Sequence, residues 1–284
     1  MKRLLPLLAA MFISTWTSQL LAAPQVNVGL SDVIATVEKS FQPDASGITP
    51  ISDVTADFFQ RTILAKDQRE LRGDGRMSVK MPSDRTPLMY RFEYFRPYWQ
   101  EIVCDGNSLW IYHPENREVI LSDVSFLYNR LSNRFPYDPE SDRAVNFLQG
   151  LNRISRDFQI NFASGMYDAA GNYVLELTPR RAMLNTRRIF MVVNRDSVLM
   201  YVSGKNSANT LNQASQFGAK TPLGSLQSDT FPILSTTDYD QKGNSTTIEF
   251  SNIRINNRLP LSTFTFIVPA GVQIIKPSQQ NLPR

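Results

Sequence analysis

Between Val54 and Val119 the chain repeats one pattern, short runs in which apolar and polar residues alternate, separated by turn residues. In "GRMSVKMP", Met77, Val79 and Met81 alternate with Arg76, Ser78 and Lys80; in "LMYRFEYFRP", Tyr90, Phe92 and Tyr94 share one parity and Arg91 and Glu93 the other. A period of two is the signature of a strand with one covered face. The next segment, "QEIVCDGNSLWIYHPENREV", predicts two strands joined at Asp105-Gly106, since an Asp-Gly pair supplies the positive φ of a tight turn. It breaks the one-sided rule: Leu109 and Ile111 fall on one face and Trp110 and Tyr112 on the other. Something apolar must therefore cover both faces, either the protein's own core or a hydrophobic ligand.

The rest of the chain extends this plan. "GLSDVIATVEKSFQ" places Leu30, Val33, Ile34, Val37 and Phe41 at helical spacing, with Ser31 or Asp32 as the cap. "VTADFFQRTIL" predicts a strand, and the period changes to helical between Asp123 and Phe158 in "SFLYNRL" and "DRAVNFLQGLNRISRDF". Strands resume with "FQINFA", "NYVLELTP", "RRIFMVVNRD" and "VLMYVSG", the last two joined by a turn at Asn194-Arg195-Asp196. Lys205 to Leu226 is polar, without a period, and reads as a long loop or insertion. Two further strand regions follow, "STTDYDQKGNSTTIEFSNIRIN" with a turn at Lys242-Gly243-Asn244, and "STFTFIVPAGVQII", where Phe264, Phe266 and Val268 alternate with Thr263 and Thr265. The parity shift between Phe250 and Ile253 predicts a β-bulge. About ten mostly antiparallel strands with helices set apart from them define an α+β fold. A sheet of that size curls toward a barrel, and helices against its concave face would cover it.

Residues 1–23, with Lys2-Arg3, an apolar run and Ala22-Ala23, have the layout of a cleaved secretory signal peptide. Ser14, Thr15, Thr17, Ser18 and Gln19 interrupt the run short of the ~20 residues that span a bilayer. Residues 24–284 are expected to form a single domain carrying the polar insertion at about 205–226. Export and scattered arginines argue against nucleic acid as the partner of a chain with net charge +4. Cys104 is the one cysteine, and its apolar strand context marks it as a small buried hydrophobe. No catalytic constellation, metal site or cofactor motif is evident: His113 is the one histidine, "GDG" at Gly73–Gly75 opens no helix, and Asp238 and Asp240 in "TDYD" are two acids in a turn. Apolar surface is then the functional feature, which points to binding rather than turnover.

"ADFFQRTIL", "GDGRMSVKMP", "YRFEYFRPYWQEIVCDGNSLWIYHPENREV", "NFLQGL" and "TTIEFSNIRINNRLPLSTFTFIVPAGVQII" together resemble the LolA family of periplasmic outer-membrane lipoprotein carriers, "IVCDGNSLWIYHP" most specifically. The resemblance implies an incomplete antiparallel β-barrel whose hydrophobic cavity is lidded by helices. It also implies a monomeric carrier that takes the acyl chains of lipoproteins from an inner-membrane ABC exporter of LolCDE type and passes them to an outer-membrane LolB-type acceptor. Met77, Val79, Met81, Tyr90, Phe92 and Tyr94 match inward positions; Trp110, Phe190, Val192, Phe250, Phe264 and Phe266 complete the candidate cavity set. The family commonly has arginine where this chain has Met81 in "KMP", a latch that hydrogen-bonds the lid shut; Arg85 or Arg91 could take its place, or apolar packing alone could close the lid. Alternative readings are an RseB-like periplasmic sensor, a carrier of a non-lipoprotein lipid or glycolipid, and an enzyme dependent on His113 or Asp238.

Overall fold

The computed structural model describes residues 27–42, 50–83, 86–125, 151–183, 186–204 and 231–276. The expected leader, the insertion at 205–226, "SFLYNRL" beyond Ser125 and the first part of "DRAVNFLQGLNRISRDF" lie outside them. Twelve strands are described: β1 (Asp53–Ile63), β2 (Glu70–Lys80), β3 (Met89–Arg96), β4 (Gln100–Cys104), β5 (Ser108–His113), β6 (Glu118–Asp123), β7 (Phe158–Tyr167), β8 (Tyr173–Pro179), β9 (Arg188–Val193), β10 (Ile233–Tyr239), β11 (Ser245–Ile255) and β12 (Gln273–Ile275). They form one sheet in the order β12-β6-β5-β4-β3-β2-β1-β11-β10-β9-β8-β7. Every pairing is antiparallel except β12 with β6. The terminal strands β12 and β7 do not pair with each other, so the barrel is open.

Turn chemistry sets the register as the sequence predicts. At the β4–β5 turn Gly106 has φ +93°, and the Asp105 carboxylate accepts the backbone N–H groups of Asn107 and Ser108. A side chain at Gly106 would also strike the Pro87 ring, 2.1 Å from an added Cβ. At the β10–β11 turn Gly243 takes φ +83° and Asp240 accepts from the backbone of Lys242 and Asn244. The acids of "TDYD" therefore have structural partners: Asp240 caps this turn, and Asp238 accepts from the Thr186 hydroxyl.

The predicted bulge lies in β11, where Asp57 pairs with Ser251 but Thr55 pairs with Arg254, leaving an extra residue opposite Ala56. Asn252 adopts φ +50° there and its amide donates to the Asp57 carboxylate. That hydrogen bond, opposed by burial and aided by Arg76, holds the Asp57 carboxyl below its ordinary value. Asn252→Ala should cost ~1–2 kcal/mol, because the left-handed conformation penalises a Cβ without a local hydrogen bond. Asn252→Gly should cost less, and equal losses in chemical denaturation would contradict this role for the bulge.

Three parts of the sequence reading are corrected. "VLMYVSG" is not a strand: residues 195–204 are helical, and Asn194 caps them by accepting the Ser197 N–H. The buried residues Val198 and Val202 face the core four positions apart, a spacing that a β-branched, aromatic run conceals. "STFTFIVPAGVQII" is not a paired strand throughout, since Leu261–Phe264 form a 3-10 turn and only Gln273–Ile275 join the sheet. The N-terminal helix α1 (Leu30–Ser40) is capped at Gly29, whose N–H donates to Asp32, rather than at Ser31 or Asp32.

Candidate functional site

The concave face is built by one parity of the central strands. Val54, Ala56 and Phe58 of β1, Met77 and Val79 of β2, Met81 just beyond β2, and Tyr90 and Phe92 of β3 are all buried in one cluster. Leu175 and Leu177 of β8, and Ile189, Met191 and Val193 of β9, belong to the same cluster. Its centre is aromatic: Phe58 meets Phe92 edge-on at 5.8 Å and Tyr94 at 4.9 Å, and Tyr90 lies 5.9 Å from Phe92. Gly75 makes this possible, because a Cβ there would lie 2.0 Å from the Glu93 carbonyl oxygen and 2.9 Å from the Phe58 ring.

Helices cover that face. Val33, Val37 and Phe41 of α1, Leu151 and Ile154 of the helical turns at 151–157, and Val198 and Val202 are part of the cluster. Phe41 packs edge-on against Phe231, which packs against Phe250 of β11. The helices are also tied to one another: Ser155 donates through its N–H and hydroxyl to Glu38, and the Gln42 amide donates to the Asn152 carbonyl. Met81 packs in the apolar cluster, Arg91 lies on the opposite parity of its strand and donates to the Thr263 carbonyl, and Arg85 lies outside the described residues.

The inner face is unequally covered along its length. Toward the β1–β2 turn, Gln60, Thr62, Gly73 and Tyr94 are half-buried and Leu71 is exposed, while further along the same strands the inner residues are sealed. The half-covered end is also more polar: the Tyr94 hydroxyl donates to Gln60, and the Thr62 and Thr246 hydroxyls bond each other.

The convex face answers the question raised by "SLWIYHP". Leu109 and Ile111 join the inner core, whereas Tyr112 and Trp110 lie on the outside with Val103 and Val119. The chain after β11 crosses this outer face as a strap. Asp53 directs it there: its buried carboxylate accepts the N–H groups of Asn257, Arg258 and Leu259, while Asn256 and Arg258 take positive φ. Lys80 then donates to the Leu259 carbonyl and Arg91 to the Thr263 carbonyl. Phe264 becomes fully buried, and Phe266 stacks on Tyr112 at 5.8 Å and Trp110 at 6.2 Å.

Of the twelve candidate residues, Met77, Val79, Met81, Tyr90 and Phe92 line the concave core, with Tyr94 and Phe250 at its margin. Trp110 instead forms an outer cluster with Phe264 and Phe266 of the strap. Phe190 and Val192 have the wrong parity, since their neighbours Ile189, Met191 and Val193 face inward; Phe190 packs outside, where Arg188 lies over its ring at 5.1 Å and over Tyr239 at 4.9 Å. Sequence reasoning missed the core residues Val198 and Val202, for which the four-residue spacing was the available signal.

Under the strap, Glu101 is buried and ion-paired with Arg91. Burial pushes its carboxyl above the ordinary value, Arg91 pulls it down, and Glu93 pushes it up. A raised carboxyl pKa means that the folded state holds the proton to higher pH than the unfolded chain does. Stability should then be greatest below the ordinary glutamate range and fall as pH rises through the raised value. Glu101→Gln should remove this slope in denaturation measured from below the ordinary glutamate range upward; an unaltered profile would contradict the assignment.

The site is thus an open antiparallel sheet whose apolar concave face lies under helices. The chain belongs to the LolA family: residues 50–215 match the family described as "Outer membrane lipoprotein carrier protein LolA", whose members are carrier proteins. The outer-membrane lipoprotein carrier protein of Chromobacterium violaceum is 27% identical over 275 residues, covering 97% of this chain and 98% of that protein. That of Pseudomonas aeruginosa is 24% identical over 226 residues, 78% of this chain and 81% of its own length. A LolA superfamily protein from Nitrosomonas europaea, known from a crystal structure, overlaps 84% of this chain and 99% of its own, at 15% identity and a TM-score of 0.35.

Proposed function

We propose that this protein is a periplasmic carrier that shelters the acyl chains of lipoproteins released from the inner membrane and delivers them to the outer membrane. In this reading residues 1–23 are a removed signal peptide and 24–284 one carrier domain. It acts as a monomer without catalysis, receiving cargo from a LolCDE-type ABC exporter and surrendering it to a LolB-type acceptor. The observation that carries the reading is the contiguous apolar lining of the concave face, roofed by helices that meet it through Val33, Val37, Phe41, Val198 and Val202. At ~0.8 kcal/mol per methylene, an acyl chain of about a dozen carbons exposed to water costs on the order of 10 kcal/mol. Helices held against the sheet largely by side-chain packing can exchange those contacts for contacts with the acyl chain.

The reading is supported by the family to which the chain belongs and by the names of its relatives. It is tested by native mass spectrometry of protein purified from its own periplasm. A bound triacylated polypeptide is expected, retained by His113→Ala and lost on Phe92→Asp. Because a carboxylate at Phe92 also costs folding stability, Ile248→Asn on the half-buried wall is the gentler companion and should weaken the adduct. A free lipid or glycolipid in place of a polypeptide would refute the lipoprotein assignment.

A further inference from the structure

The β3–β4 connection is Pro97-Tyr98-Trp99, and with Phe95 it exposes three large aromatic rings: Phe95 is 46% exposed, Tyr98 64% and Trp99 44%. Single exposed apolar residues are ordinary, but three within five positions of one hairpin tip call for an occupant. The tip is buttressed from behind. Trp99 meets Tyr112 edge-on at 5.7 Å, and Tyr112 rests on Phe266 of the strap, next to Ile267, which is 82% exposed.

Its position follows from the register. Gln60 pairs with Gly73, Thr62 with Leu71, and Gly75 with Tyr94, so the β3–β4 tip and the β1–β2 turn stand at the same end of the sheet. That is the end at which the concave face is half-covered and Leu71 emerges. The neighbouring β1–β2 hairpin end is modestly basic: Arg61 and Lys66 stand beside the ion pairs Arg69–Asp67 and Arg72–Glu70, and Arg96, whose side chain is 79% exposed beside the rings, is paired with Asp74. On the other side the β5–β6 hairpin end carries Glu115 and Glu118 against Arg117, so the anion-favouring rim lies on the β1–β2 side.

We propose that this tip docks on an anionic bilayer surface, with Phe95, Tyr98 and Trp99 at headgroup depth and the basic rim over the phosphates, so that the half-covered end of the concave face meets the membrane. Tyr and Trp have an apolar body and a polar handle, the combination suited to the boundary between hydrocarbon and water. A short convex turn projecting rings outward suits insertion between lipids, and arginines beside it add attraction to anionic headgroups. The proposal rests on the carrier reading for its purpose, since acyl chains leave and enter membranes, but it makes its own prediction.

The test is sedimentation of the purified protein with sucrose-loaded vesicles of phosphatidylglycerol and phosphatidylethanolamine, beside vesicles of phosphatidylcholine alone. Binding is expected to the anionic vesicles, and Tyr98→Ser combined with Trp99→Ser should lower the partition coefficient about tenfold or more. Tyr98→Ser alone, at the most exposed of these three positions, guards against a folding defect and should show a smaller loss. With brominated lipids the tryptophan emission should be quenched, and Trp99→Phe, which keeps a ring, should remove that quenching while still sedimenting. The Tyr98/Trp99 variant should retain its acyl cargo in the native mass spectrum, which separates docking from carriage: an empty wild-type protein that still binds vesicles would sink the carrier reading and leave docking standing. Wild-type protein that stays in the supernatant, including one that captures a protein partner through this tip instead, would overturn the proposal. So would binding unchanged by the double substitution.

Discussion

Gly75→Val is expected to prevent stable folding, with a loss of about 4 kcal/mol or more in any variant that can be purified. β2 passes β3 at Gly75 with no room for a side chain: an added Cβ would lie 2.0 Å from a backbone oxygen, which cannot swing aside as a flexible side chain can. The same atom would strike the Phe58 ring, the member of the aromatic cluster that touches both Phe92 and Tyr94. Yield of folded protein and denaturation midpoint measure the effect. A Gly75→Val protein with near-native stability would mean that β2 and β3 do not approach this closely.

Asp53→Ala is expected to cost ~3 kcal/mol and to loosen the strap rather than the barrel. One carboxylate serves the N–H groups of three consecutive residues, and removing it leaves those donors partly buried without their acceptor. Hydrogen exchange should accelerate at 257–259 and proteolysis should appear between 256 and 276, while the amides of β1 to β3 remain protected. Uniform loss of protection across the sheet would instead make Asp53 part of the general core. Because the strap's Phe266 packs on Tyr112 and Trp110, its release should also expose the outer apolar cluster to dye binding.

Much of the concave face was legible from period alone. Met77, Val79, Tyr90 and Phe92 alternate with charged residues, and a charged parity can face only outward, so their burial follows from the sequence. Phe190 and Val192 defeated the same rule, because "IFMVV" is apolar at both parities and nothing in it states which set faces the core. The paired parities of "SLWIYHP" announced two covered faces correctly, but not that the second cover is the chain's own C-terminal strap. Alternating Thr and Phe in "STFTF" imitates a strand; the departure is encoded upstream in Asn256-Asn257-Arg258, where two left-handed residues and a distant carboxylate turn the chain out of the sheet. That carboxylate lies more than two hundred positions away, beyond the reach of local pattern. The helix at 195–204 shows the same limit: its β-branched and aromatic residues favour a strand locally, and burial of Val198 and Val202 in the core decides otherwise.

The central claim is that cargo lies against the concave face, and strand parity allows a sharp test. A photo-crosslinking amino acid placed in the living bacterium at Val79, which is buried inward, or at the adjacent Ser78, which faces outward, differs by one residue in sequence and by a whole sheet in space. The account predicts an acylated lipoprotein adduct from Val79 and none from Ser78. Adducts from Ser78 alone, or equal adducts from both, would contradict it.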